Sequence, residues 1–230
     1  MHEDFSDLVS MWERLTTRYA ERPLFGEKKG ASGWVWKTYA EVAGQVDAFR
    51  AALGSLGVGP GDRVALISDN RLEWAIVVHA TLGLGAAYVP MYESQTKEDW
   101  AYILRDSGAK VVFGATREIV SSLDQAKPGI ATLEHVCGFD LDASDARSFA
   151  ALFAKGKAAA KLKAVKPSPD EPAGFVYTSG TTGEPKGVVL THKNFCANVN
   201  GLTPLFPLSS DDRSLSFLPW AHAFGQTGEF

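Results

Sequence analysis

Short apolar runs alternate along this chain with longer segments of helical periodicity. Residues 63–67, 87–91 and 110–113 are apolar runs of strand length, and helical patterns fill the intervals between them. Parallel strands need long crossover connections, which helices usually supply. The alternation therefore predicts an α/β protein in which helices cover layered, mostly parallel sheets.

Polar residues mark where several of the predicted helices begin. Thr38 and Glu41 have the spacing of a capping box, which opens a helix that ends near Leu56. Thr96 resembles a second helix start, and Asn70 is predicted as the N-cap of the helix after the first strand. The further predicted elements are a helix over 116–126, strands over 133–137, 174–177, 188–191 and 213–218, and a helix over 194–200.

The segment 155–172 changes the character of the chain. Lysines occupy positions 155, 157, 161, 163 and 166, and prolines occupy positions 167, 169 and 172. We favour a solvated helix end followed by a linker over a contact with an anionic surface. The linker divides 1–230 into a first α/β lobe over 1–154 and the start of a second lobe over 173–230.

The densest group of chemically useful residues follows the apolar run 173–176. Residues 177–188 read Tyr-Thr-Ser-Gly-Thr-Thr-Gly-Glu-Pro-Lys-Gly-Val. Glycines let backbone N–H groups approach an anion, hydroxyls donate to phosphate oxygens, and Lys186 adds a positive charge. A flexible connection between two strands is the alternative, but the order of residues favours a polyphosphate site.

This loop differs from the Walker P-loop. Counting from Gly180, the second glycine of that pattern falls on Pro185, and Lys186 is followed by Gly187 instead of a serine or threonine. The loop therefore lacks the hydroxyl that holds Mg²⁺ in P-loop proteins.

The stretch 177–187 resembles the phosphate-binding signature of the adenylate-forming superfamily, which includes acyl-CoA synthetases, luciferases and peptide-synthetase adenylation domains. The segments 59–66, 83–90 and 218–222 are similar to further family segments, in the family's order. Within the superfamily, 68–74 and 216–222 are most similar to long-chain fatty acyl-CoA synthetases.

The resemblance implies an acid–thiol ligase that activates a fatty acid with ATP through acyl-AMP and transfers the acyl group to coenzyme A. ATP, Mg²⁺ and coenzyme A, the last as a substrate, are the implied ligands. His222 is implied to lie near the reacting carboxylate and, with Lys186, to be catalytic; no residue is assigned to a metal. The β- and γ-phosphates are assigned to Thr178, Ser179, Gly180, Thr181, Thr182, Gly183 and Lys186.

Other residues near these motifs have structural interpretations. His79 lies on an apolar helix face and is predicted to be a core histidine, and His192 is predicted to be a structural cap. Tyr177 is either a residue near the nucleotide or a core tyrosine. Trp220 either lines the acyl tunnel or packs in the core, and Gly225 is a candidate for close approach of the substrate.

Composition limits the partners and the compartment. The net charge of −4 gives no basic field that would attract nucleic acid. The cysteines, Cys137 and Cys196, do not have metal-binding spacing, and we favour reduced buried thiols over a disulfide. Without a secretory leader or an 18-residue apolar run, we expect a cytoplasmic protein, with peripheral contact at the inner membrane surface left open.

Several segments that the resemblance implies do not occur within 1–230. These are the adenine-binding and ribose-binding segments and the mobile C-terminal domain. We therefore expect the N-terminal part of a longer enzyme fold, incomplete and nearly inactive alone. The alternatives are a non-catalytic phosphate-binding module, or another acid–thiol ligase such as an aryl-CoA ligase or a peptide-synthetase adenylation domain.

Overall fold

A six-stranded sheet lies between two layers of helices in the computed structural model, which describes residues 4–30, 33–178, 184–206 and 209–229. In chain order the elements are α1 (Leu8–Arg18), β1 (Pro23–Lys28), β2 (Trp34–Thr38), α2 (Tyr39–Ser55), β3 (Arg63–Ile67), α3 (Leu72–Leu82), β4 (Ala87–Met91), α4 (Lys97–Ser107), β5 (Val111–Gly114), α5 (Arg117–Ala126), β6 (His135–Gly138), α6 (Phe149–Ala158), β7 (Pro172–Thr178), β8 (Lys186–Thr191), α7 (His192–Leu202) and α8 (Ala223–Glu229).

The sheet order is β6-β5-β3-β4-β7-β8, and every pair is parallel except β7 with β8. This confirms the predicted α/β class with a mostly parallel sheet. β1 and β2 form a separate antiparallel hairpin. Strands from both sides of the predicted linker 155–172 lie in this one sheet, and the division of the chain into lobes at that linker stays a prediction.

The two faces of the sheet bury different side chains of the same strands. Val64 and Leu66 of β3 face the layer that contains α1, α2, α3 and α7, whereas Ala65 and Ile67 face α4 and α5. Alternation of side chains along a strand produces this division. Because both faces are covered, β4 and the part of β3 after Arg63 are apolar and buried, as the sequence indicated.

Helix ends follow the local signals closely. Thr38 and Glu41 form both hydrogen bonds of a capping box at the start of α2, and Thr96 caps α4 in the same way. These two predicted caps are therefore confirmed. His192 also caps a helix, but one that is distant in sequence, because its Nδ1 accepts a hydrogen bond from the N–H of Leu8 at 3.3 Å.

Two predicted features are wrong. Asn70 does not cap α3: Arg71 occupies the N-cap position and forms no side-chain cap bond. The predicted strand over 213–218 is absent, because these residues lie outside the helices and strands of the described chain. The Asn70 side chain instead forms hydrogen bonds with Ser216, Leu218 and Trp220, which are described below.

His79 lies in the core, as predicted. Its ring stacks on Trp12 with centroids 3.8 Å apart. Burial, with a smaller effect of the positive charge of Arg50, lowers the pKa of His79 to about 3. The thiols of Cys137 and Cys196 are free and buried, and burial raises their pKa values to about 12 and about 11.

Stability should therefore decrease on acidification in a window set by His79. An unfolded histidine has a pKa of about 6.5, so the stability that depends on a neutral His79 is complete above that pH. It is lost as the pH falls towards the folded value of about 3. In His79→Phe this contribution is absent. The free energy of unfolding, measured with urea between pH 7 and pH 4.5, should therefore depend less steeply on pH than in the wild type, by up to about 1.4 kcal/mol per pH unit. His135→Phe, at a half-exposed position, is the control, and an unchanged slope in His79→Phe would contradict the assignment.

Substitution of two helical glycines by alanine should have opposite effects on the free energy of unfolding. A Cβ at Gly156 of α6 would overlap the carbonyl oxygen of Ala48 in α2, whereas a Cβ at Gly44 would meet nothing within 4 Å. Gly156→Ala should lower the free energy of unfolding by about 1–3 kcal/mol. Gly44→Ala should raise it by about 0.5–1 kcal/mol, because alanine loses less backbone entropy in a helix. Urea midpoints measure both, and equal effects would exclude the close packing of α2 on α6.

Candidate functional site

The predicted phosphate-binding residues lie on the hairpin of β7 and β8. Thr178 is the last residue of β7 and pairs with Lys186, the first residue of β8. Lys186 thus belongs to the strand, which begins two residues before the predicted start at 188. Ser179, Gly180, Thr181, Thr182 and Gly183 lie outside the described residues, and their assignment stays a prediction.

Thr178 and Lys186 are at the carboxyl edge of the sheet. β7 runs parallel to β4, so its last residue lies at the edge where the other parallel strands also end. Cross-strand partners point to the same face, and alternation places Thr178 on the face of Gly174, which packs against the Tyr88 ring. This is the face covered by α7 and Trp220. Both Thr178 and Lys186 are exposed.

Tyr177 anchors this hairpin from the opposite face. Its hydroxyl donates to Asp106 Oδ2 in α4 at 2.6 Å. Its ring covers Gly187, where an added Cβ would lie 2.8 Å from the ring carbon Cζ. Burial, reinforced by the hydrogen bond to Asp106 and its charge, raises the pKa of Tyr177. Tyr177 is therefore a half-buried structural anchor of the hairpin.

His222 lies immediately before α8, and its ring is exposed. Its Nδ1 accepts a hydrogen bond from the N–H of Phe224 at 3.2 Å. A neutral imidazole that accepts at Nδ1 carries its proton on Nε2. His222 therefore presents an N–H donor to the outside of the fold. The sequence predicted a strand before His222, whereas the structure has an irregular segment there.

Trp220 fixes the histidine segment in the core. Its ring lies 5.4 Å from Trp74 and 5.9 Å from Phe25, and it is 4% exposed. Of the two alternatives for Trp220, core packing is the one observed. A Cβ on Gly225 would overlap the carbonyl oxygen of Pro219. Gly225 therefore allows α8 to approach its own preceding segment.

Two carboxamides, which the sequence analysis did not identify as site residues, hold the same segment. Asn70 bonds to residues 216, 218 and 220. Gln226 Nε2 donates to the Trp220 carbonyl at 2.7 Å, and the Tyr88 hydroxyl donates to Gln226 Oε1 at 2.7 Å. No local pattern marks the Asn70 contacts, because the partners of Asn70 are nearly 150 residues away.

The part of the chain with described coordinates contains no group of three His, Cys, Asp or Glu side chains placed as metal ligands. Within the same ranges, no helix combines the length and the apolar character needed to cross a bilayer.

Comparison with known proteins identifies the family. Residues 12–230 match the family described as AMP-binding enzyme. The chain belongs to this family. The resemblance of 177–187 to an adenylate-forming signature is thus confirmed at the level of the AMP-binding enzyme family.

Curated relatives within the AMP-binding enzyme family are named as fatty acid ligases. The long-chain-fatty-acid–CoA ligase FadD15 of Mycobacterium bovis is 37% identical over 199 residues, which cover 84% of this chain and 33% of that protein. Fatty acyl-CoA synthetase B of Dictyostelium discoideum is 32% identical over 222 residues, which cover 89% of this chain and 33% of that protein. The chain thus spans about a third of the length of these relatives.

Solved structures of the same kind share the fold. The N-terminal domain of FACL13 from Mycobacterium tuberculosis aligns with a TM-score of 0.83 at 26% identity, over 97% of this chain and 54% of that one. A fatty acyl-CoA synthetase from the same organism aligns with a TM-score of 0.82 at 25% identity, over 96% of this chain and 42% of that one.

The anchor in this AMP-binding enzyme hairpin can be tested with a double-mutant cycle. Gly187→Ala should destabilise the protein by about 1–3 kcal/mol, because the new methyl group displaces the Tyr177 ring. In a Tyr177→Ala background the same change should cost nothing, since the ring is gone. Urea unfolding of the four proteins gives the coupling energy, and additive effects would exclude the contact.

Proposed function

We propose that this chain contributes the triphosphate-binding part of a ligase that activates a long-chain fatty acid with ATP and transfers it to coenzyme A. The observation that carries the proposal is the pairing of Thr178 with Lys186 across the mouth of the hairpin, at the carboxyl edge of the sheet. Ligands of α/β proteins bind at this edge. The names of the curated relatives support the same activity.

The described residues fit a polyphosphate. Thr178 offers a hydroxyl, and Lys186 offers an ammonium group that forms no ion pair within the part of the chain that the structure describes. Glu184 is exposed, so its carboxylate is directed to solvent. Such a position can accept the β- and γ-phosphates, together with the hydroxyls and N–H groups that we assign to 179–183.

The proposed chemistry depends mainly on control of charge. A carboxylate and a triphosphate repel each other until positive charges and N–H dipoles screen them. Mg²⁺ bound with ATP would supply part of that screening, and no described residue is assigned as its ligand. Lys186 holds the tail that leaves as pyrophosphate when the fatty acid carboxylate attacks the α-phosphorus. In the second step the thiol of coenzyme A attacks the acyl carbonyl, and AMP leaves.

His222 has a different task in this proposal. Its Nε2–H can donate to an oxygen of the carboxylate or of the α-phosphate, where negative charge develops. A preorganised donor of this kind stabilises the transition state more than the ground state. We therefore assign binding of the phosphate tail to Lys186 and stabilisation of the reacting centre to His222.

One relative favours a second class of acid. A CoA ligase of Mycobacterium tuberculosis named for a methyl-dioxo-octahydroindenyl propanoyl group is 33% identical over 194 residues, 82% of this chain and 38% of that protein. Another acid–thiol ligase of the same family is therefore the alternative to a fatty acid ligase. The phosphate site is common to both.

Substitution of Lys186 tests the proposal directly. The wild-type chain should bind inorganic tripolyphosphate and Mg·ATP, and Lys186→Ala should weaken both by about tenfold or more, since a hydrogen bond between charged groups contributes about 1.5–3 kcal/mol. Isothermal titration calorimetry on the 230-residue chain measures this. Lys186→Arg should keep part of the affinity.

Lys193→Ala is the matched control for this loss. Lys193 is an exposed lysine on α7, 3.9 Å from Asp170, and its removal changes the net charge equally. Its affinity should stay within about twofold of wild type, a difference of about 0.4 kcal/mol. Equal weakening in both variants would indicate non-specific attraction, and absence of tripolyphosphate binding by the wild type would contradict the proposal.

A further inference from the structure

The loop over residues 68–71, which follows β3 at the carboxyl edge, is held from two sides. The N–H of Asp69 donates to Glu93 Oε1, just beyond β4, at 2.8 Å. Arg71 Nη2 donates to Asp140 Oδ1, just beyond β6, at 2.7 Å. These contacts join the loop to the ends of two other strands. The loop is therefore a rigid support rather than a free connection.

Asn70 extends from this support to the histidine segment. Its Nδ2 donates to the Leu218 carbonyl at 2.8 Å and to Ser216 Oγ at 3.0 Å. Its Oδ1 accepts from the N–H of Trp220 at 2.8 Å. A carboxamide has two N–H donors and one carbonyl acceptor, and all three functions are used here. Aspartate would retain the acceptor and lose both donors.

These side-chain hydrogen bonds hold the segment in place of the backbone hydrogen bonds that a β-strand would form. Residues 213–218 lie outside the helices and strands of the described chain. The backbone of Trp220 instead forms two hydrogen bonds with side chains: its N–H donates to Asn70, and its carbonyl accepts from Gln226. His222 follows two residues later, and its own N–H donates to the Pro219 carbonyl at 3.0 Å. The location of the imidazole thus depends on the hydrogen bonds that hold the Trp220 backbone.

We propose that Asn70 is the positioning residue for His222, and that its carboxamide sets the distance between the imidazole and the nucleotide bound at the hairpin. The proposal rests on the proposed function, since it takes His222 as the donor at the reacting centre. In this proposal Asn70 acts through the histidine segment and not by contact with nucleotide or acid. Its loss should leave binding of the phosphate tail by Lys186 intact and change the relation of His222 to the nucleotide.

Asn70→Ala, which removes the acceptor and both donors, is the main test, on the 230-residue chain. Amide hydrogen exchange of Trp220 should accelerate by at least about tenfold, as expected when a hydrogen bond of about 1.4 kcal/mol is lost. Amides of β3 should keep their wild-type rates. Acceleration throughout the chain would indicate global destabilisation and would overturn the positioning role, as would unchanged exchange at Trp220.

NMR of the His222 ring supplies the functional measurement. Addition of Mg·ATP should shift the His222 Hε1 resonance in the wild type. In Asn70→Ala the shift should fall to less than half, while the affinity for tripolyphosphate stays within about twofold, a difference of about 0.4 kcal/mol. An equal shift in both proteins, or no shift in a wild type that binds tripolyphosphate, would overturn the proposal.

Asn200→Ala is the matched control. The Asn200 carboxamide likewise holds a distant backbone, accepting from the N–H of Phe5 at 3.1 Å and donating to its carbonyl at 2.9 Å. This variant should accelerate exchange at Phe5 and leave Trp220 and His222 unchanged. Asn70→Ser should repeat the local pattern if Asn70→Ala does not fold. If tripolyphosphate does not bind the wild type, the proposed function alone is contradicted. The hold of Asn70 on the histidine segment is still tested, because the hydrogen-exchange rates are measured without ligand.

Discussion

Burial of β3 and β4 on both faces is the constraint on which the rest of the structure depends. Leu66, Ile67 and Val89 are completely buried between the two helical layers. An unpaired charge in such a sheet would cost several kcal/mol, so charged groups are restricted to the strand ends. Parallel strands bring their carboxyl ends to one edge. Thr178 and Asn70 therefore occur at the same edge although they are far apart in sequence.

Segments at that edge are held more by side-chain hydrogen bonds than by the backbone hydrogen bonds between β-strands. The Asn70 and Gln226 carboxamides fix the histidine segment, and the Tyr177 hydroxyl fixes the hairpin. The Asn70 and Tyr177 contacts join residues distant in sequence. Gln226 and the Trp220 backbone that it holds are six residues apart, and both are buried. A buried polar group that loses its partner costs more than the hydrogen bond had contributed. The hydrogen bonds that hold the histidine segment are therefore cooperative, because losing one of them leaves a buried polar group without its partner.

The sequence predicted those parts of the fold that local interactions determine. The capping box of Thr38 and Glu41 spans three residues and formed as expected. The α/β class followed from the spacing of apolar runs. Asn70 was predicted as a cap because that is its best local role, but partners 146 to 150 residues away took its side chain. The same long-range bonds hold residues 216 and 218 of the segment 213–218, which belongs to no sheet.

The two halves of the candidate site differ in how they are placed. Lys186 is located by the register of β8 on β7, so its position depends on backbone hydrogen bonds and on the Tyr177 anchor. His222 is located by two carboxamides on an irregular segment. Sequence motifs predicted Lys186 and His222 as site residues, but only the fold showed these supports. Since the supports are separate, we expect the proposed attraction of the phosphate tail and the proposed alignment of the imidazole to be independent, so that a change in one loop alters the second without the first.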